Sequence, residues 1–93
     1  MAEVKKAVVT VLGYDRKGII AKVSDALYRH DANILDISQT ILSGLFNMIL
    51  IADVSSPACD FDVLTEELRA YGREQNLQIR VQRSEIFEAM HQV

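Results

Sequence analysis

Apolar residues recur along this chain with two different periods, and the switches between those periods mark its elements. Lys6–Leu12 (KAVVTVL) is rich in β-branched residues and stops at Gly13, which predicts a strand. Its alternate positions Ala7, Val9 and Val11 face one side and Val8, Thr10 and Leu12 the other; both sides are largely apolar, as suits a central strand. Gly13 to Lys17 reads as a loop. From Gly18 the spacing becomes helical, with Ile19, Val23, Ala26, Leu27 and His30 on one stripe and Lys22, Asp25 and Arg29 opposite. Asp31-Ala32-Asn33 ends that helix with turn-prone residues.

The second half repeats the alternation of periods. Ile34–Leu42 puts Leu35, Ile37 and Ile41 on one face and Asp36, Ser38 and Thr40 on the other, the pattern of a half-exposed strand. Ser43-Gly44 predicts a tight hairpin turn. Leu45–Val54 is a longer apolar run, a second candidate for the middle of a sheet, closed by Ser55-Ser56-Pro57. Asp60 or Asp62 can cap a second helix, whose stripe is Phe61, Leu64, Leu68 and Tyr71 and whose end falls near Gln75-Asn76. Leu77–Arg83 then alternates strictly, with Leu77, Ile79 and Val81 inward. Ser84 is a plausible cap for a short terminal helix at about 84–92.

The order β-α-β-β-α-β, with one apolar stripe per helix, predicts an α+β, ferredoxin-like sandwich: a four-stranded antiparallel sheet with both helices on one face. Residues 1–93 fit a single domain. Val8, Leu12 and part of the Leu45–Val54 run leave apolar surface on the far side of that sheet, for the terminal helix or a second chain to cover. A core this small gains from a partner subunit.

The start of the first helix carries the candidate chemistry. Gly18 lacks a Cβ, so the backbone can turn tightly and a partner can approach its amides. The N–H groups of Gly18, Ile19, Ile20 and Ala21 have no acceptor within a helix beginning there, and the positive end of the helix dipole points the same way. Such a site suits a small carboxylate. Asp15 and Asn33 can hydrogen-bond at the two ends of the stretch. Each of these residues also has a plainer reading: Gly18 as a strand-to-helix turn, Asp15 as a cap of its own loop, Asn33 as a turn residue.

Composition narrows the function classes. The chain is 49% hydrophobic and 25% charged with a formal charge of −3, and no basic stripe suggests a nucleic-acid partner. No apolar run approaches a membrane span or a secretory leader. One cysteine, Cys59, fits a reducing compartment, so the expected location is cytoplasmic. Sequence spacing indicates no cofactor, no metal site and no catalytic residues: a Cys-x-x-Cys after the first strand, paired stacking aromatics on the first and third strands, and a Ser/His/Asp or Cys/His arrangement are all missing. An acylphosphatase-like site would need an asparagine on the second strand and a different pattern around Arg16.

The β-α-β-β-α-β order, the G-Y-D-R-K-G-I-I loop at 13–20 and the A-N-I-L-D-I run at 32–37 resemble the ACT-domain family over nearly the whole chain. The D-I-S-Q-T run at 36–40 and I-F-E-A-M at 86–90 are similar to small stand-alone bacterial and archaeal members whose function is not established. That resemblance implies a regulatory module for amino acids or similar small molecules, with the ligand between the first loop and a facing subunit. It also implies a homodimer or higher homo-oligomer joined through its sheets, acting on a regulated protein partner. The matching positions are Asp15 and Gly18 in the loop and Asn33 at the turn into the second strand; with Ile19 and Ile20 they form the candidate ligand site. The other reading is an interaction module of the same fold with no metabolite.

Overall fold

A computed structural model describes residues 5–83. Its elements are β1 (Lys6–Tyr14), α1 (Ile19–Arg29), β2 (Asn33–Leu42), β3 (Leu45–Asp53), α2 (Phe61–Gln75) and β4 (Gln78–Arg83). They build an antiparallel four-stranded sheet in the order β2-β3-β1-β4. The two strands with apolar residues on both faces, β1 and β3, are therefore the inner pair, as their composition predicts. The terminal helix expected at about 84–92 lies outside the described residues.

One face of the sheet carries the core. Ala7, Val9 and Val11 of β1, Phe46, Met48, Leu50 and Ala52 of β3, and Ile79 and Val81 of β4 are buried beneath Ile19, Val23, Ala26 and Leu27 of α1 and Leu64 and Leu68 of α2. Each set follows its element's period. Asp60 caps α2 by accepting from the amides of Asp62 (3.1 Å) and Val63 (3.2 Å). Asn76, left-handed at φ 57°, closes it, and the next amide, Leu77 N–H, donates to Gly72 O at 2.8 Å. Ser43 and Gly44 both have positive φ, the primed geometry that matches the twist of a hairpin.

Two expectations change. Strand β1 runs through Gly13 to Tyr14 instead of stopping at Leu12, because Gly13 and Tyr14 still pair with Phe46 and Leu45. Gly13 marks a close approach there, not a break: a Cβ at this position would lie 2.5 Å from Leu77 Cδ2. Strand β2 is exposed on both faces, not one, and only Ile34 is half-buried. An irregularity between Ile34 and Asp36 inserts Leu35 as an extra residue, so the register puts Ile34, Ile37 and Ile41 opposite the core residues Ala52, Leu50 and Phe46. No described element lies over Ile37, Ile41 and Leu42, all of which are exposed.

The helices meet at a charged contact. Glu67 of α2 accepts from the Arg29 guanidinium and faces His30 Nε2 at 2.8 Å, while Arg29 Nε also reaches Asp25 at 2.9 Å. The Arg29 hydrogen bond first, then that of His30, holds the Glu67 carboxyl below the usual carboxylate range against the opposing cost of burial.

Two predictions test this packing. Gly72 brings α2 onto the start of β4: an added Cβ would sit 2.9 Å from Leu77 O and 3.1 Å from Ile79 Cγ1. Gly72→Ala should destabilise the fold by about 1–2 kcal/mol in urea denaturation, the overpacking exceeding the helix-propensity gain of about 1 kcal/mol. Gly13→Ala should cost less, since its nearest neighbour is the end of a flexible side chain. For Glu67, a pKa lowered by folding adds stability above the unfolded value and loses it as pH falls through the folded one. Glu67→Gln should therefore cost at most about 1 kcal/mol at pH 7, given the pair's exposure, and that cost should shrink as pH falls below the ordinary carboxylate range.

Candidate functional site

The β1–α1 loop, residues 15–18, sits where the end of β1 meets the β2–β3 turn. Its backbone is tied to that turn by Asp15 N–H donating to Gly44 O at 2.9 Å. On its other side the Arg16 guanidinium donates to Gln75 Oε1 of α2 at 3.0 Å. A short polar loop is thus fixed at both flanks, and Arg16 is engaged with the scaffold.

Gly18 is the N-cap of α1 at φ 87°, ψ 3°, a left-handed conformation that a Cβ disfavours although nothing lies within 4 Å of where one would go. Backbone geometry is what fixes glycine there. Its carbonyl accepts the first intrahelical bond, from Lys22 N–H at 2.9 Å. Among the described residues no side chain accepts from the amides of Ile19, Ile20 or Ala21. The first turn of α1 holds no acidic residue, whereas α2 has Asp60 and Asp62 at its start. The two helix starts therefore differ: α2 satisfies its own donors and α1 leaves them available. Ile19 is buried and anchors the turn; Ile20 is exposed beside the free donors, as are Asp15 and Lys17.

Asn33 is not with them. It opens β2 opposite Asp53, whereas the loop adjoins the Tyr14–Leu45–Leu42 end of the sheet. Helix α1 spans about 16 Å between these ends at ~1.5 Å per residue, and ten-residue β2 spans about 30 Å. One protomer therefore cannot bring Asn33 to the amides that Asp15, Gly18, Ile19 and Ile20 surround. Sequence proximity hid this, because a helix carries the chain to the opposite end of the sheet between the two.

Strand β2 is the other unusual feature of this region. It is a ten-residue outer strand with Leu35, Ile37, Ile41 and Leu42 exposed. Asp36 Oδ1 takes one of its backbone donors, Ile37 N–H, at 2.9 Å. Beside it on the sheet's outer face, Leu12, Leu45 and Ile49 are also exposed. Apolar side chains at an unpaired edge are a template for strand addition.

Among the described residues no group of three or more His, Cys, Asp or Glu side chains could hold a metal ion, and no helix is long and apolar enough to cross a membrane.

Comparison with known proteins agrees with this architecture. The ACT-domain family model matches residues 5–82. A UPF0237 protein of Methanocaldococcus jannaschii is 47% identical over 88 residues, which is 95% of this chain and 98% of that protein. A solved ACT domain protein from Streptococcus pneumoniae superposes with a TM-score of 0.77 at 38% identity, covering 92% of this chain and 97% of that one. A formyltetrahydrofolate deformylase from Pseudomonas syringae matches 88% of this chain with a TM-score of 0.78 at 26% identity, over only 28% of its own length.

The loop geometry makes one prediction of its own. Gly18→Ala should leave the fold intact and lower stability by about 1–2 kcal/mol, the cost of a left-handed conformation, as read from thermal unfolding. Gly18→Asn should lose less, because asparagine tolerates that conformation better.

Proposed function

Because this chain belongs to the ACT-domain family, we propose that it is a regulatory module binding a small amino-acid-like ligand at the β1–α1 loop, with the site completed by a second copy. One observation carries this reading: the free amides of α1 and the unpaired β2 edge adjoin the same end of the sheet. Pairing two β2 strands antiparallel about a two-fold axis near Ile37 and Ser38 sets the start of each strand beside the end of the other. Asn33 of the partner subunit then comes next to Leu42, and so toward the Gly44 turn that holds Asp15. The separation of Asn33 from the loop within one protomer becomes the reason for a dimer.

The chemistry follows from the groups so assembled. A ligand carboxylate accepts from the amides at Gly18–Ile20, favoured by the helix dipole. Its ammonium meets Asp15 or a backbone carbonyl, and the Asn33 amide, with both a donor and an acceptor, bridges either group. Ile20, exposed at this turn, offers apolar surface to the ligand's side chain. Closure by the second copy excludes water from these charge-assisted bonds and strengthens them. Binding is thereby linked to dimer geometry, so a change in subunit arrangement is the output that a partner protein reads. In this reading the module itself performs no chemistry, and it works in the cytoplasm.

A thermal-shift and calorimetric screen of the proteinogenic amino acids tests the site. A ligand at about ten times its Kd should raise the midpoint by roughly 5–10 °C for a domain of this size, and Asn33→Ala or Gly18→Val should abolish the shift. No response from the wild type to any compound, or a response that both variants keep, would leave the interaction-module reading in place. The dimer is tested separately by light scattering at tens of micromolar. Ile37→Lys sets two like charges near the proposed axis and should convert dimer to monomer; a wild-type monomer removes the shared site.

A further inference from the structure

The face of the sheet turned away from the helices is unevenly exposed. Ala7, Val9 and Val11 point into the core, so Val8, Thr10, Leu12 and Tyr14 lie on the far side. Exposure there climbs along β1 from 8% at Val8, through half-buried Thr10, to 39% at Leu12 and 71% at Tyr14. On the neighbouring strand Ile51 is half-buried and Ile49 is exposed. Among the described residues no helix lies over this face, because α1 and α2 both pack on the other. We propose that residues 84–93 turn back from the end of β4 as a short amphipathic helix and dock on the Val8–Ile51 end of the far face, within the same chain.

Connectivity brings the segment to this place. Arg83 ends β4 opposite Ala7 and Gln82 pairs with Val8, so the residues that follow start beside Val8. Ser84 and Glu85 serve for the reversal onto the far face. Residues 86–92 then extend about 10 Å as a helix at ~1.5 Å per residue, which matches about three residues of a strand at ~3.3 Å each. That reach runs from Val8 and Ile51 to Thr10 and Ile49, which pair with each other, and stops short of Tyr14 and Leu42. It ends where the exposure rises.

The residue types fit the same placement. On a helix Ile86, Phe87, Met90 and Val93 share one stripe, with Glu85, Glu88 and Gln92 opposite. Apolar Val8 and Ile51 receive that stripe. The register puts Lys6 and Arg80 on the far face toward β1 and β4, and Asp36 and Asp53 toward β2 and β3, so the acidic residues of the segment favour a path over β1. A second copy laid on this face would cover it from end to end. Burial confined to the Val8 end, in a single chain, suits a short segment of the same chain instead.

Amide NMR of the full chain tests this, with a nitroxide attached at position 92 on the polar side of the segment through Gln92→Cys in a Cys59→Ser background. The amides of Val8, Thr10 and Ile51 should broaden most, and those of Tyr14, Leu42 and α2 least. A mixture of isotope-labelled chains without the nitroxide and unlabelled chains that carry it should lose this pattern. Phe87→Asp should shift the amides of Val8 and Ile51 while Leu64 and Leu68 keep theirs. No broadening, broadening centred on α1 or α2, the same pattern at equal strength in the mixture, or Val8 and Ile51 amides unmoved by Phe87→Asp would each overturn the proposal. None of these reporters belongs to the β1–α1 loop, so failure here leaves the ligand site to its own test, and failure of the amino-acid screen leaves this docking standing.

Discussion

Two helices roof part of a four-stranded sheet, and what they leave uncovered shapes everything else. Helices α1 and α2 bury one face of β1, β3 and β4, the strands whose core positions are all apolar. Strand β2 extends beyond that roof as the outer arm of a hairpin with β3. Its pairing with β3 is complete from Asp36 to Leu42, so backbone hydrogen bonds hold it in place while its side chains remain in solvent. A strand held by its backbone but not packed by its side chains is a poor element of a monomer and a ready one for an interface.

The same asymmetry separates the two ends of the molecule. At one end, the β1–α1 loop, the β2–β3 turn and the end of α2 are joined by Asp15–Gly44 and Arg16–Gln75 hydrogen bonds. At the other, α1 closes at His30 and Asp31, and Asp31 accepts from Ser56 of the β3–α2 connection. Each end is thus fastened across neighbouring elements. Only the first leaves helix amides without a side-chain acceptor among the described residues. A ligand bound there would touch the loop that the hairpin turn and α2 both restrain, so its effect reaches two elements at once.

Much of this was legible in the residue pattern, for reasons that differ by element. Strands β1 and β3 announced themselves as central because both faces are apolar, one packed in the core and the other carrying the exposed Leu12, Leu45 and Ile49. Asp60 and Ser43-Gly44 are short-range signals whose geometry depends on a few neighbours, and both formed as read. The features that escaped are long-range. Nothing in the run from Ile34 to Leu42 marks Leu35 as an inserted residue, because the register is set by β3. Gly13 looked like a strand breaker, since its contact with Leu77 comes from the other end of the chain. Gly72 passed unnoticed inside a helix for the same reason. Asn33 lies at the far end of β2 from the Gly44 turn, and the fifteen positions between it and Gly18 conceal that reversal of direction.

These misses bear on how the molecule should be understood. A residue pattern reports the environment of each side chain within its own element, and so recovers layers and order. Sites arise where elements of different period converge, and their composition depends on approach distances set by residues that contribute nothing chemically. Gly72 is the example here: it carries no functional group, yet its missing Cβ sets how closely α2 rests on Leu77 and Ile79. The candidate site of this small domain therefore depends most on Gly18 at the start of α1, because backbone position is what leaves the neighbouring amide donors available.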